Sequence, residues 1–223
     1  LVPDAWQSQR LAEFDAQIAT AQQKLQTLAE QLVATNTDWT AELDTDAGWE
    51  TLSPTEVRVE GDSQLLRQED GSYKVDGKVA AKETYVATID TELRNVTGLR
   101  LEALADDSLP SKGPGSAPNG NFVLTEFKVL VPKADGKPDA VKLTKSVADH
   151  AQDKFAVAAA VDGKNDTCWA VLPKVGESHL AIFDAEKPFL TESGQFTVRL
   201  EFQSQHAQHS IGRWRLSATI IPA

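Results

Sequence analysis

The run "VDGKNDTCW" at 161–169 brings Asp162, Asn165, Asp166 and Thr167 together, and Lys164 adds a main-chain carbonyl. Calcium takes roughly six to eight hard oxygen ligands, and a tight Asp/Asn/Gly turn presents side-chain and backbone oxygens side by side. The same residues are ordinary turn formers, so a self-closed Asp turn is the competing reading. The histidines offer less. His206 and His209 lie three apart in "SQHAQHS" (204–210), a polar loop with no third ligand to complete a zinc site. His150 and His179 flank the oxygen-rich run, and His179 is placed at a pocket mouth. Lys174 and His179 on one loop, with Asn119 on another, are the residues singled out for ligand contact. No Ser-His-Asp order, G-x-S-x-G, phosphate-binding loop or H-E-x-x-H is present. The carboxylates are plentiful but not framed as an acid/base pair. The chain therefore reads as a non-enzyme.

Two kinds of element must position these groups. Over residues 1–37, Leu11, Phe14, Ile18, Ala21, Leu25, Leu28 and Leu32 alternate at three and four residues, a heptad stripe on an amphipathic helix. Such a stripe wants one partner, and either a coiled-coil dimer or docking on the chain's own sheet supplies it. From Trp49 onward the period is two. "TEVRVEG" (55–61), "SQLLRQ" (63–68), "SYKVDG" (72–77), "ETYVATI" (83–89) and "GLRLEAL" (98–104) read as strands. So do "NFVLTEFKVLV" (121–131), "VKLTKS" (141–146), "HLAIFD" (179–184), "QFTVRLEF" (195–202) and "GRWRLSATII" (212–221). Asp-Gly pairs at 70–71, 76–77, 135–136 and 162–163 separate several of them. This many short strands without a second helical block predicts an antiparallel jelly-roll β-sandwich over 46–223.

The alternation also assigns faces. Phe196, Val198, Leu200 and Phe202 point inward, as do Trp214, Leu216 and Ala218. Arg100, Glu102, Arg213, Arg215 and Ser217 point out, and the Arg and Glu rows are expected to pair across strands. "NFVLTEFKVLV" is apolar on both faces, with Phe122 and Leu124 opposed to Val123, Phe127 and Val129. It should be covered on both sides, with the N-terminal helix as the outer cover. Before it, "SLPSKGPGSAPNGN" (108–121) is too long for a hairpin loop. Its glycines and prolines, and its lack of aromatics, favour an Ω-loop wrapped on the sandwich over a sugar-stacking platform.

"TGLRLEALADDSLPSKGPGSAPNGNFVLTEFKV" (97–129), "SVADHAQDKFAVAAAVDGKNDTCWAVLPKVGESHLAIF" (146–183) and "IGRWRLSAT" (211–219) resemble a region of large exported planctomycete and verrucomicrobial proteins that also carry cytochrome c-like domains. The resemblance covers 48–223. The run from Ala158 to Trp169 is also similar to the discoidin type of galactose-binding-like fold, a jelly roll used for sugars, lipids or proteins. That resemblance implies a structural calcium held by Asp162, Lys164, Asn165 and Thr167, a core position for Trp169, and a half-buried thiol at Cys168. The heme-attachment CxxCH is absent from the chain, so no heme is implied.

A net charge of -11 argues against nucleic acid or an anionic membrane as partner. One cysteine allows no internal disulfide. With no methionine and Leu at position 1, the chain reads as a piece of a longer protein. No apolar run is long enough to span a bilayer. The expectation is a non-catalytic, glycan-binding module of a periplasmic or extracellular multidomain protein. The competing expectation is a structural module that docks on other domains or dimerises through residues 1–37.

Overall fold

The computed structural model describes Arg10, Phe14, Ile18, Thr20 and Lys24, and residues 48–133, 136–190 and 194–221. The chain divides into two compact units, Leu1–Ala47 and Gly48–Ala223. The heptad stripe, and with it the dimer and docking roles expected of residues 1–37, lies almost wholly outside the described residues. Among the described residues no helix is long and apolar enough to cross a membrane.

The second unit is built from twelve described strands. They are β1 (Glu50–Thr51), β2 (Glu56–Glu60), β3 (Gln64–Arg67), β4 (Tyr73–Asp76), β5 (Glu83–Asp90) and β6 (Val96–Ala103). Then follow β7 (Glu126–Val131), β8 (Asp139–Ala140), β9 (Leu143–Ala148), β10 (His179–Phe189), β11 (Gln195–Phe202) and β12 (Arg213–Thr219). One sheet runs β3-β4-β12-β6-β10-β9, with β1 also on β12, and the other runs β2-β5-β11-β7-β8. Every ladder is antiparallel. The β3–β4 turn shows why Asp-Gly closes such hairpins. Gly71 sits at φ 79, which a side chain would resist, and its amide donates to the Gln68 carbonyl at 3.1 Å.

The inward rows of both sheets form one core. Phe127 of β7 stacks on Phe183 of β10 with 4.2 Å between ring centroids, joining the sheets. Trp214 of β12 stacks on Tyr73 at 5.1 Å and faces Tyr85 of the opposite sheet at 6.4 Å. Burying each such ring contributes about 1.5–3 kcal/mol, which makes this shared core the main adhesive between the layers. The expected inward faces of β11 and β12 are all buried.

Three local expectations are corrected. Arg100 and Ser217, read as solvent-facing, are 4% and 0% exposed. The Trp49 ring lies 5.3 Å from the Arg100 guanidinium, and Arg100 donates to the Ser217 hydroxyl at 3.4 Å, so the outer face is covered there. Arg215 and Glu102, by contrast, do form the expected cross-strand pair, with two bonds of 2.8 Å.

Second, Phe122 and Leu124 lie in the same core as Phe127 and Val129, not opposite them. The alternation slips at Thr125, whose amide and hydroxyl both donate to the Glu201 carbonyl (2.8 and 2.7 Å). Third, what covers Val123 is an arm between β9 and β10. Cys168, Ala170 and Phe155 pack on it, and Leu124 and Trp169 exchange two backbone bonds of 2.9 Å.

The loop before β7 is wrapped, as expected. Ser116 donates to Ser210, Gly212 donates to Pro114, and Ala117 is fully buried. A Cβ on Gly115 would lie 1.9 Å from the Asn121 carbonyl oxygen, so only glycine allows this approach.

Candidate functional site

Where β6 ends and β12 begins, the chain opens a cleft of about 520 Å³ lined by Ala105, Asp106, Asp107, Lys112, Gly176 and Arg213. That volume falls within the range of about 300–1,000 Å³ usual for small-ligand sites, but the lining is polar where most such sites are apolar. Its floor is a fixed charge frame. Arg213 donates to the Ser72 hydroxyl (2.9 Å), Asp106 (3.0 Å) and Asp70 (2.7 Å). The Ser108 hydroxyl and amide both donate to Asp106.

Burial by itself would raise the Asp106 carboxyl, but Ser108, Lys74 and Arg213 together hold it below the ordinary range. The Ser72 hydroxyl, helped by its amide and by Arg213, does the same for Asp70 against burial. Both carboxylates are therefore ionised at neutral pH and poorly suited to act as general acids. At the rim, Lys112 pairs with Asp107 at 3.1 Å, and these side chains are 73% and 89% exposed.

The three residues expected to touch ligand each have a partner within the protein. His179 is buried, its Nδ1 2.8 Å from Asp149 and its Nε2 2.5 Å from the Lys174 carbonyl. It is a strut that holds the 173–178 loop against the start of β10. Lys174 is exposed and pairs with Glu177 at 3.6 Å, beside Gly176 of the cleft. Asn119 accepts from the Asn121 amide at 3.1 Å and so closes the wrapped loop. The cleft residues Asp106, Asp107, Lys112 and Arg213 were not anticipated as a site. They come from three separate segments, and only the "ADDS" run (105–108) marks one of them in the sequence.

In the 161–169 run, Asp162 accepts from the Lys164 amide at 2.9 Å, and the Thr167 hydroxyl lies 2.9 Å from both Asp162 oxygens and 3.4 Å from the Lys164 carbonyl. Asn165 and Asp166 are exposed. A residue that was not singled out sits against this loop. Glu126 of β7 is 2% exposed, and its Oε1 has no hydrogen-bond partner. Burial, opposed by Lys128 and by the Gly163 and Lys164 amides but assisted by Asp162, raises its carboxyl above the ordinary range. An orphaned carboxylate oxygen beside a loop that carries a second carboxylate, a hydroxyl and a carbonyl offers donors of the hard-oxygen kind calcium takes. Among the described residues no three Asp, Glu, His or Cys side chains gather at one point. An ion here would draw on two carboxylates and complete its shell with neutral oxygens and water. The signal in the sequence was a lone Glu inside a strand that is apolar on both faces. Trp169 is fully buried, as expected. Burial pushes the Cys168 thiol up to about 11, which leaves almost no thiolate at neutral pH.

No family model and no curated protein matches the chain. Among solved structures it is similar to a mutant of CBM29-2, a family 29 carbohydrate-binding module, with 7% identity and a TM-score of 0.24 over 77% of this chain and 91% of that one. It is also similar to the CBM22-1 xylan-binding domain of Xyn10C from Paenibacillus barcinonensis. There the identity is 13% and the TM-score 0.21, over 78% of this chain and 87% of that one. Scores this low transfer no ligand site to this chain.

Proposed function

We propose that this chain is a non-catalytic, carbohydrate-binding module of the galactose-binding-like jelly-roll type, working within a larger exported protein. The observation that carries the reading is the cleft of about 520 Å³ with a hydrogen-bonded, mostly polar floor and a solvent-exposed Asp107–Lys112 pair at its rim. A polyhydroxylated ligand suits such a lining, because each hydroxyl both donates and accepts. The ionisable groups of the floor are committed to one another: Asp70 and Asp106 pair with Arg213. The Asp162 loop supplies a second, structural role. Asp162, the Lys164 carbonyl, Thr167 and Glu126 would hold a calcium ion that ties the arm to β7. Asn165, exposed in the same loop, would reach the ion through a bridging water.

Affinity electrophoresis of the full chain through gels containing neutral or acidic polysaccharides tests the reading. Retardation by at least one polysaccharide is expected. Free migration through all of them would remove it and leave the interaction-module alternative, in which residues 1–37 oligomerise the chain or dock it on neighbouring domains.

A further inference from the structure

We infer that the cleft takes a neutral saccharide, one without uronate or sulfate groups, whose vicinal hydroxyls engage Asp107 and Lys112. The inference rests on the binding-module reading above and narrows its ligand class.

Charge around the cleft is balanced group by group. Arg213 lies between Asp70 (2.7 Å) and Asp106 (3.0 Å), and Lys74 adds to Asp106 at 3.8 Å. Lys112 is matched by Asp107 at 3.1 Å and Lys174 by Glu177 at 3.6 Å. An anionic sugar group that sought a cation here would have to displace a carboxylate already in place. It would approach against the field of a chain with net charge -11.

The members of this set differ in mobility. The Arg213 and Asp106 side chains are 23% and 13% exposed and fixed by several short bonds, so the floor cannot regroup cheaply. Asp107 and Lys112 are 89% and 73% exposed, and an ion pair in that much solvent is worth little. A neutral diol can therefore insert between them. Its two hydroxyls donate to the carboxylate, a hydroxyl oxygen accepts from the ammonium, and no charge is left uncompensated. Binding of this kind exchanges no net charge, so it should respond little to salt.

The test is affinity electrophoresis and titration calorimetry of the full chain. The neutral probes are a uronate-free arabinoxylan, galactomannan and a β-glucan; the acidic probes are alginate and a sulfated galactan. At least one neutral polysaccharide should bind about tenfold or more tighter than either acidic one, and its affinity should hold up to about 0.5 M salt. Lys112→Ala and Asp107→Asn should each weaken the neutral ligand about tenfold while leaving the melting temperature unchanged, since both side chains are exposed. Asp107→Asn uncovers Lys112 and should also shift preference toward the sulfated galactan. Tighter binding of an acidic polysaccharide that collapses in salt would overturn the inference and leave the carbohydrate-binding reading standing. Neutral binding that is indifferent to both substitutions would overturn it as well, by placing the ligand outside the cleft. Binding to no polysaccharide would instead sink the underlying reading.

Discussion

A buried carboxylate with one oxygen unpartnered, as at Glu126, is costly to the fold unless a proton or a cation compensates it. That cost gives the calcium proposal a sharp test at the scale of single residues. If the ion is held by Glu126, Asp162, Lys164 and Thr167, added calcium should raise the melting temperature and chelator should lower it. The gain would be about 2.7 kcal/mol at free calcium a hundred times the dissociation constant. Asp162→Ala should melt lower and ignore both additions. Glu126→Gln should also ignore them, yet its calcium-free form should be at least as stable as the wild type without calcium, because the substitution removes the buried charge. A wild-type midpoint unmoved by calcium or chelator, in protein that elemental analysis finds calcium-free, would reduce the 161–169 run to an Asp turn. Of this site the sequence displayed the turn half. Glu126 lies far upstream, and only the packing of the arm on β7 brings it in.

Elements, not single contacts, hold the cleft in shape. The loop from Leu109 to Asn121 is rich in glycine and proline, but its amides are spent on the frame. Gly115 donates to Gly120 at 3.0 Å, Ser116 to Ser210 at 2.9 Å, and Gly212 to Pro114 at 2.7 Å. Hydrogen exchange should therefore find the amides of Gly115, Ser116 and Gly212 protected, and Gly115→Ala should destabilise the chain by about 1–3 kcal/mol in urea unfolding. Exchange at random-coil rates across this loop would sink the idea that it is a wrapped structural element.

On the outer face of the other sheet, Arg199 bridges Glu60 and Glu201, and Arg58 adds to Glu60. Hydrogen bonds from Arg199, then Arg58, depress the Glu60 carboxyl from 4.5 to about 2. A depressed folded-state value means stability that is present above pH 4.5 and lost as pH falls toward 2. Glu60 is 40% exposed, so solvent screening limits the effect to under about 1 kcal/mol. Arg199→Ala should lower stability by up to about 1 kcal/mol near neutral pH and converge with the wild type as pH falls toward 2, flattening the profile across that window. An unchanged acid limb would show that the pair is idle.

At the scale of the whole molecule, adhesion between the sheets rests on rings that meet across the core. Phe127→Leu and Phe183→Leu should each remove the stacking contact, worth about 0.5–1.5 kcal/mol beyond area burial. The double variant should then cost less than the sum of the singles, because both substitutions break one interaction. Strict additivity in a denaturation cycle would mean that the two rings do not work as a pair. Most of the architecture was written in local pattern. A period of two, broken by turn residues, locates strands such as β11 and β12 and their inward rows, because side-chain direction along an extended chain depends only on position parity. Parity failed at Thr125, where side chain and backbone share one carbonyl and shift the alternation. Solvent exposure failed at Arg100, because Trp49, distant in sequence, covers it. The cleft was hidden for the same reason. Asp106, Lys112, Gly176 and Arg213 have no shared spacing, and each is an ordinary surface residue until β12, β6 and β10 pair side by side in one sheet and bring their flanking loops to one end. Local stereochemistry thus determined the elements, and long-range packing alone determined which charges met.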